Sequence, residues 1–111
     1  MNFQNFETFE IHAEFCKAIA NPKRLMIINL LGNKKMTVGD LAESLNLSVS
    51  NISQHLKVMK NHQVVRSEKS GHQVLYWLSD RRLVKICENI REIIHDLYTE
   101  RRDIFSPDST V

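Results

Sequence analysis

The sequence predicts a mainly helical domain with one small β-hairpin, in the order ααααββα. Two capped amphipathic segments, at 37–45 and 48–60, follow each other with almost nothing between them, which predicts two helices joined by a minimal turn. Two runs rich in β-branched and aromatic residues come next, at 64–68 and 73–78, and the Gly between them is typical of a hairpin. Residues 83–97 then repeat apolar side chains at near-heptad spacing, which predicts a long final helix.

The first two helices are predicted at the N-terminus. The first runs from about Phe6 to Ala20 and is apolar on two faces, so it needs two packing partners. Asn21 is a favourable N-cap for the second helix, and Pro22 suits its first position because no N–H is needed there. Gly32 suits the residue that follows the second helix. The side chains predicted to bury the second helix are Met26, Ile27, Leu30 and Leu31.

The third and fourth helices have clear start signals. Thr37 and Asp40 have the spacing of a capping box at the start of the third helix. Asn46 and Leu47 turn the chain, and Ser48 caps the fourth helix. The apolar row predicted to bury the fourth helix is Val49, Ile52, Leu56 and Met59.

The predicted hairpin comprises Val64–Glu68 and Gln73–Leu78, connected by residues 69–71. Two strands are too few to be stable alone, so this hairpin must pack on helices. The last helix is expected to begin at Ser79 or Asp80. We predict one domain over residues 1–105 and a disordered tail over 106–111.

Composition excludes several classes of protein. Two cysteines are too few for a secreted disulfide scaffold, and neither a secretion signal nor a membrane-length apolar run is evident. A cytoplasmic protein without membrane association is therefore expected. The chain also lacks a nucleophile elbow, a phosphate-binding Gly loop and a zinc-hydrolase motif, so we predict that it is not an enzyme.

Positive charge is concentrated in one part of the chain. The formal net charge is only +2, so a polyanion would have to be attracted by a local patch. Between residues 57 and 72 a single acid, Glu68, accompanies several cations. Those cations are Lys57, Lys60, Arg66 and Lys69. The predicted fourth helix and hairpin are therefore the basic part of the molecule.

The outward side chains of the fourth helix suit a DNA groove. An α-helix fits the major groove of B-DNA, and its N-terminal residues usually meet the base edges. Asn51 and Gln54 could each make a bidentate contact with adenine, and Ser50 could contact a base or a phosphate. The full predicted DNA-binding set is Ser48, Ser50, Asn51, Ser53, Gln54, His55, Lys57, Arg66, Lys69 and His72. A merely solvated helix could carry any one of these residues, but the helix pair, the short turn and the basic hairpin together favour DNA.

Three motifs resemble the ArsR/SmtB family of bacterial winged-helix repressors. They are Asn-Pro-x-Arg-Leu at 21–25, Ser-x-x-Ser-x-His-Leu at 50–56 and Tyr-x-Leu-x-Asp at 76–80, and the resemblance extends from about Phe15 to Tyr98. It implies a winged helix-turn-helix homodimer joined through the first and last helices, with its two recognition helices in successive major grooves. It also implies repression by operator binding, relieved by an inducer.

One position departs from the pattern of that family. Gln63 follows the fourth helix where family members commonly have Gly. The chain must turn there, and a left-handed backbone conformation is easiest for Gly. We expect Asn61 or His62 to take that conformation instead.

The metal sites of that family are incomplete in this sequence. The predicted third helix has no cysteine, which removes the Cys-x-Cys type of site. On the last helix Asp80 is retained, but Arg82 and Ile93 stand at the two histidine positions and Asp96 stands at the last ligand position. Arg82 cannot bind zinc because its guanidinium stays protonated. We therefore predict neither a metal at these sites nor a cofactor.

Two cysteines are the candidate sensor. Sulfide-responsive members of the family pair a cysteine of the second helix with one of the last, but the second-helix position is Asn29 here. Cys16 and Cys87 lie on the predicted first and last helices instead, and His12 lies one turn before Cys16. Three interpretations remain open: structural thiols in the core, a redox or reactive-sulfur sensor, and a soft-metal site that includes His12.

The sequence thus predicts a dimeric DNA-binding transcriptional regulator, acting as a repressor that an unidentified inducer releases from its operator. Its predicted partners are a double-stranded DNA operator and a second copy of the chain. The alternative is a winged-helix module that binds another protein and has no specific operator.

Overall fold

The computed structural model describes residues 4–105. In chain order its elements are α1 (Phe6–Ile19), α2 (Pro22–Leu31), β1 (Met36–Thr37), α3 (Val38–Leu45), α4 (Val49–Asn61), β2 (Val65–Ser70), β3 (Gln73–Leu78) and α5 (Arg82–Phe105). The predicted winged helix-turn-helix order is confirmed, with one short strand added before α3. The chain divides into two compact units, the first ending at Arg81 and the second containing α5. The predicted tail lies outside the described residues.

Side-chain caps set the starts of the first two helices. Asn5 Oδ1 accepts a hydrogen bond from the Thr8 N–H at 2.9 Å, which caps α1. Asn21 Oδ1 accepts from the Lys23 N–H at 2.9 Å, and Pro22 occupies the first position of α2 as predicted. Gly32 ends α2 with a φ of 53°, a conformation that glycine adopts without steric cost.

The helix-turn-helix forms as the capping residues predicted. The Thr37 hydroxyl accepts from the Asp40 N–H at 3.0 Å, and the Asp40 carboxylate accepts from the Thr37 N–H at 3.3 Å, so the capping box is complete. Asn46 ends α3 in the left-handed region with a φ of 54°. Ser48 then caps α4 by accepting from the Asn51 N–H at 3.0 Å.

A third strand joins the hairpin to the helices. β1 pairs antiparallel with β3, with Met36 opposite Tyr76, and the sheet order is β1-β3-β2. β1 was not predicted from the sequence, because a strand of two residues shows no alternation of apolar and polar side chains. β2 continues to Ser70, so only Gly71 and His72 connect the strands, and the expected connection at 69–71 was too early.

The last helix starts later than predicted, at Arg82 rather than at Ser79 or Asp80. Ser79 is used elsewhere: its N–H and its hydroxyl both donate to the Val64 carbonyl at 3.0 Å. These bonds close the base of the hairpin, so Ser79 is not a helix cap.

The core lies where α2, α3, α4 and β2 meet. Its fully buried large side chains are Ile27, Ile28, Leu31, Leu41, Ile52, Leu56, Met59, Val64 and Val65. Two predicted core residues are wrong: Val49 is 55% exposed and Met26 is 45% exposed. Val49 is the first residue of α4 and precedes the turn that packs inwards. On α2, Ile28 is buried in place of Met26.

Gln63 itself adopts the left-handed conformation, with a φ of 67°, so the expectation that Asn61 or His62 would do so is wrong. The Val64 N–H donates to the Met59 carbonyl at 2.8 Å, and the Gln63 N–H donates to the Lys60 carbonyl at 3.1 Å. These two bonds form a Schellman motif, which requires a left-handed residue at the position of Gln63.

Gln63→Gly is expected to raise the free energy of unfolding by about 0.5–1 kcal/mol, because glycine removes the steric cost of the left-handed conformation. Chemical denaturation measures this change. The matched control is Gln54→Gly within α4, which should lower the free energy of unfolding by about 1 kcal/mol. Destabilisation by both changes would show that Gln63 is not strained.

Candidate nucleic-acid interface

The outer face of α4 presents a row of polar side chains. Ser50, Ser53, Gln54 and Lys57 are all exposed on this helix. Ser48 is exposed too, but its hydroxyl oxygen already accepts the capping bond from Asn51. The arrangement leaves two hydroxyls, one amide and one cation free to meet a ligand along one face.

Asn51 is more enclosed than its neighbours. Its Oδ1 is buried and has no hydrogen-bond partner among the described residues. A bidentate contact with adenine needs both the oxygen and the nitrogen of the amide, and in this conformation the oxygen is enclosed. An unsatisfied buried acceptor costs about 1–3 kcal/mol, so turning Asn51 outward towards a base would relieve that cost.

His55 is held by another helix rather than facing solvent freely. Its Nδ1 accepts a hydrogen bond from the Nε–H of Arg24 on α2, at 3.1 Å. Because a guanidinium can only donate, Nδ1 must be unprotonated and the neutral ring carries its proton on Nε2. Burial first, and then the positive charges of Arg24 and Lys23, lower the pKa of His55. His55 therefore meets any partner as a neutral Nε2–H donor at neutral pH.

Arg24 contacts α1 and α4 from its place on α2, and it was not among the functional residues predicted from the sequence. Besides His55, its Nη1–H donates to the Ala18 carbonyl at the end of α1, at 3.3 Å, and its backbone N–H donates to the Asn21 cap. The signal in the sequence was its place in the Asn-Pro-x-Arg-Leu motif, where Lys23 and Arg24 are the two cations of a largely apolar helix. Arg24 sets the position of α4 relative to α1 and α2.

The structure separates the three predicted hairpin contacts. Lys69 lies next to the hairpin tip and His72 lies in the two-residue connection that forms the tip, and both side chains are exposed. Arg66 lies opposite Trp77 near the base of the hairpin. It is three residues before Lys69, about 10 Å along the strand and on the opposite face. Lys69 and His72 therefore form one basic tip, and Arg66 does not belong to it.

A basic helix and hairpin tip on one helix-turn-helix unit have recognised counterparts. The family described as bacterial regulatory protein, arsR family, matches residues 21–67. The nodulation protein NolR of Rhizobium meliloti is 36% identical over 84% of this chain and 76% of that protein. The chain belongs to the ArsR family. As a member of this family it is a DNA-binding transcriptional regulator.

Other ArsR-family relatives extend the match over nearly the whole chain. The transcriptional activator HlyU of Vibrio cholerae is 34% identical over 90% of each chain. The crystal structure of NolR from Sinorhizobium fredii has a TM-score of 0.71 and 35% identity, covering 84% of this chain and 93% of that one. The winged helix-turn-helix fold is therefore shared with a solved member.

The two thiols of this ArsR-family chain lie in different environments. Cys16 on α1 is exposed and Cys87 on α5 is buried, and both are free. Burial raises the pKa of the Cys87 thiol, although the neighbouring Arg91 cation opposes the shift. Cys87 is thus a protonated, weakly reactive thiol at neutral pH.

His12 is exposed on α1. Within residues 4–100, whose side chains are described, no three His, Cys, Asp or Glu residues are grouped so that they could hold a metal ion. No helix in this described range has both the length and the apolar content needed to cross a membrane.

Proposed function

We propose that this ArsR-family regulator is a homodimeric repressor that binds operator DNA through α4 and the hairpin tip. The observation that carries the proposal is an apolar face on α5 that the chain leaves open to solvent. Its members are Ile86, Ile90, Ile93, Ile94, Leu97 and Tyr98, between 44% and 65% exposed. A face of this size at heptad-like spacing is typical of a helix that packs against another chain.

The N-terminal helix supports the same assembly. Phe6, Phe9 and Ile11 on α1 are each at least 50% exposed. Covering them with a second copy would remove the largest exposed aromatic side chains of α1 from water. A two-fold dimer would then present two copies of α4, and it calls for an operator with half-sites about one helical turn apart.

Within each half-site we assign base reading chiefly to Gln54 and phosphate contact to Lys57 and Lys69. Gln54 is exposed with both amide atoms free, which a bidentate base contact requires. Lys57 lies one turn further from the N-terminus of α4, where the helix leaves the groove floor. Ser50, Ser53 and the Nε2–H of His55 complete the proposed contact surface.

Gln54→Ala should weaken binding to the specific operator by about 1–3 kcal/mol and relax base preference at one position. Lys57→Ala should instead weaken binding to all sequences alike and reduce the salt slope of log K by about 1. Fluorescence anisotropy on the operator and on single-base variants, at several salt concentrations, separates the two effects. Identical behaviour of both variants would show that the base and phosphate roles are assigned wrongly.

The alternative, a module that binds another protein, makes a different prediction for the same titration. Binding at the non-specific level to every fragment upstream of its gene would favour it, because a specific operator must exceed that level. Repression itself is tested with a reporter gene placed under the operator. Deletion of the gene for the regulator should raise reporter expression, whereas deletion of an activator would lower it.

For the trigger we propose that Cys87 is a structural thiol, because it is 4% exposed and its pKa is raised. Iodoacetamide should modify Cys87 only under denaturing conditions, as read by peptide mass spectrometry, and peroxide should leave operator affinity unchanged. Loss of affinity together with a Cys16–Cys87 disulfide would establish thiol sensing instead. Zn²⁺- or Cd²⁺-dependent loss that His12→Ala abolishes would establish the soft-metal site.

A further inference from the structure

A second cationic surface lies at the base of the sheet, away from the proposed DNA contacts. The turn after α2 and the end of β3 enclose a cleft of about 320 Å³. Its charged and aromatic lining consists of Lys34, Lys35, Trp77 and Arg81. All of these residues belong to the first compact unit. The volume is at the lower end of the range for small-molecule sites.

The cations of this cleft have no acidic partner among the described side chains. Among the side chains that the structure describes, those of residues 4–100, no carboxylate forms an ion pair with Lys34, Lys35 or Arg81. Lys35 places its ammonium over the Trp77 ring, 4.4 Å from the centroid, which is a cation–π contact. Three positive charges around one indole thus lack a counter-charge.

The position of the cleft separates it from the basic tip. Trp77 pairs with Arg66 and Leu78 pairs with Val65, so this end of β3 is the one opposite the Gly71–His72 connection. Trp77 is four residues beyond Gln73, about 13 Å along the strand. Operator phosphates bound at Lys69 and His72 would therefore leave the cleft open.

We propose that this cleft binds a small organic anion in which a carboxylate or phosphate group adjoins a planar ring. Lys34 and Arg81 supply charge-assisted hydrogen bonds to the anionic group. Trp77 supplies apolar surface for the ring where Lys35 does not cover the indole, and the Lys35 ammonium adds attraction for the anion. The proposal concerns the cleft alone and stands whether or not the assigned operator contacts are correct.

Trp77 provides the measurement because it is the single tryptophan of the chain. Its indole N–H gives one cross-peak in a ¹H–¹⁵N spectrum, which is followed during titration with benzoate and with phenyl phosphate at constant ionic strength. A saturable shift with either anion is expected, and the preferred one tells which group the site takes. Inorganic phosphate alone and benzyl alcohol alone should each need about tenfold higher concentration to reach the half-maximal shift, because the first lacks the ring and the second lacks the anionic group.

Matched charge variants distinguish a specific anion site from general attraction of the anion to a basic protein. Lys34→Gln or Arg81→Gln should weaken binding by about tenfold through loss of one charge-assisted hydrogen bond, whereas Lys60→Gln on α4 should not change it. Unaltered remaining cross-peaks verify the fold of each variant. A shift that stays linear, or equal weakening by Lys60→Gln, overturns the proposal.

Operator DNA supplies the last arm of the test. If the operator duplex displaces phenyl phosphate, or if Lys34→Gln reduces the salt slope of operator binding by about 1, these cations contact DNA and the small-anion proposal is wrong. Unchanged anion binding in the presence of operator supports a separate site. The titrations without DNA do not depend on operator binding, and the arm with operator DNA counts only for duplex that anisotropy shows to be bound.

Discussion

Ile93→Glu is expected to convert the protein to a monomer and to weaken operator binding by at least about a hundredfold. Ile93 lies within the apolar face of α5 and is 56% exposed in the single chain. A carboxylate there would have to be desolvated in a packed dimer without a partner, which costs several kcal/mol. Loss of the dimer removes the second half-site contact, and the advantage of bivalent binding disappears with it.

Sedimentation equilibrium measures the oligomeric state, and anisotropy with a two-half-site duplex measures affinity. The matched control is Thr99→Glu, which introduces the same charge on the same helix, roughly on the opposite side. It should leave both the dimer and the affinity intact. A dimeric Ile93→Glu protein with unchanged operator affinity would contradict the assignment of α5 as the interface. A monomer that retains full affinity would contradict the need for two half-sites.

Arg24→Ala is expected to lower the free energy of unfolding by about 1.5–3 kcal/mol, because it removes charged hydrogen-bond donors from His55 and from the Ala18 carbonyl. It should also weaken operator binding, since α4 loses its link to α1 and α2. Arg24→Lys should recover little, because an ammonium does not reproduce the two-directional geometry of the guanidinium. Lys23→Ala is the control: it removes a neighbouring charge but neither of these hydrogen bonds.

Burial of His55, together with its contact to Arg24, makes stability depend on pH. The pKa of His55 is lowered in the folded protein, so the unfolded chain binds the proton more readily. The stabilisation is therefore fully present above the unfolded value of 6.5, and it is lost as the pH falls through the folded value. His55→Gln should flatten the profile of unfolding free energy between pH 7 and 5, and Arg24→Ala should flatten it only in part, because burial of the His55 ring remains. An unchanged profile in both variants would show that His55 does not titrate against Arg24.

Local sequence signals account for much of this fold. Asn21, Thr37 and Ser48 predicted three helix starts because a short polar side chain before an apolar row has one favourable use. The Gln63 turn was located correctly but assigned to neighbouring residues. The residue that must take the left-handed conformation is set by its distance from the last residue of α4 rather than by its type, and the two Schellman hydrogen bonds show that it is Gln63.

Contacts between elements that are distant in the sequence could not be predicted from the sequence pattern. β1 has only two residues, so its pairing depends on where β3 lies in space. The partnership of Arg24 with His55 likewise joins different helices, and periodicity cannot show which outward polar residue another helix will hold. The polar outer face of α4 was predicted as a set of residues, but the enclosure of Asn51 depends on the packing around it.

The Schellman turn at Gln63 and the two hydrogen bonds from Ser79 to the Val64 carbonyl attach the hairpin rigidly to the end of α4. Val64 and Val65 leave the helix directly into the core, at 0% and 2% exposure. In the proposed complex with DNA, the hairpin tip would therefore lie at a fixed distance from α4. An extra base pair inserted inside a half-site, between the α4 and hairpin contacts, should abolish one of them. Changes in spacing between half-sites would have to be absorbed elsewhere, by the way two copies of the chain join.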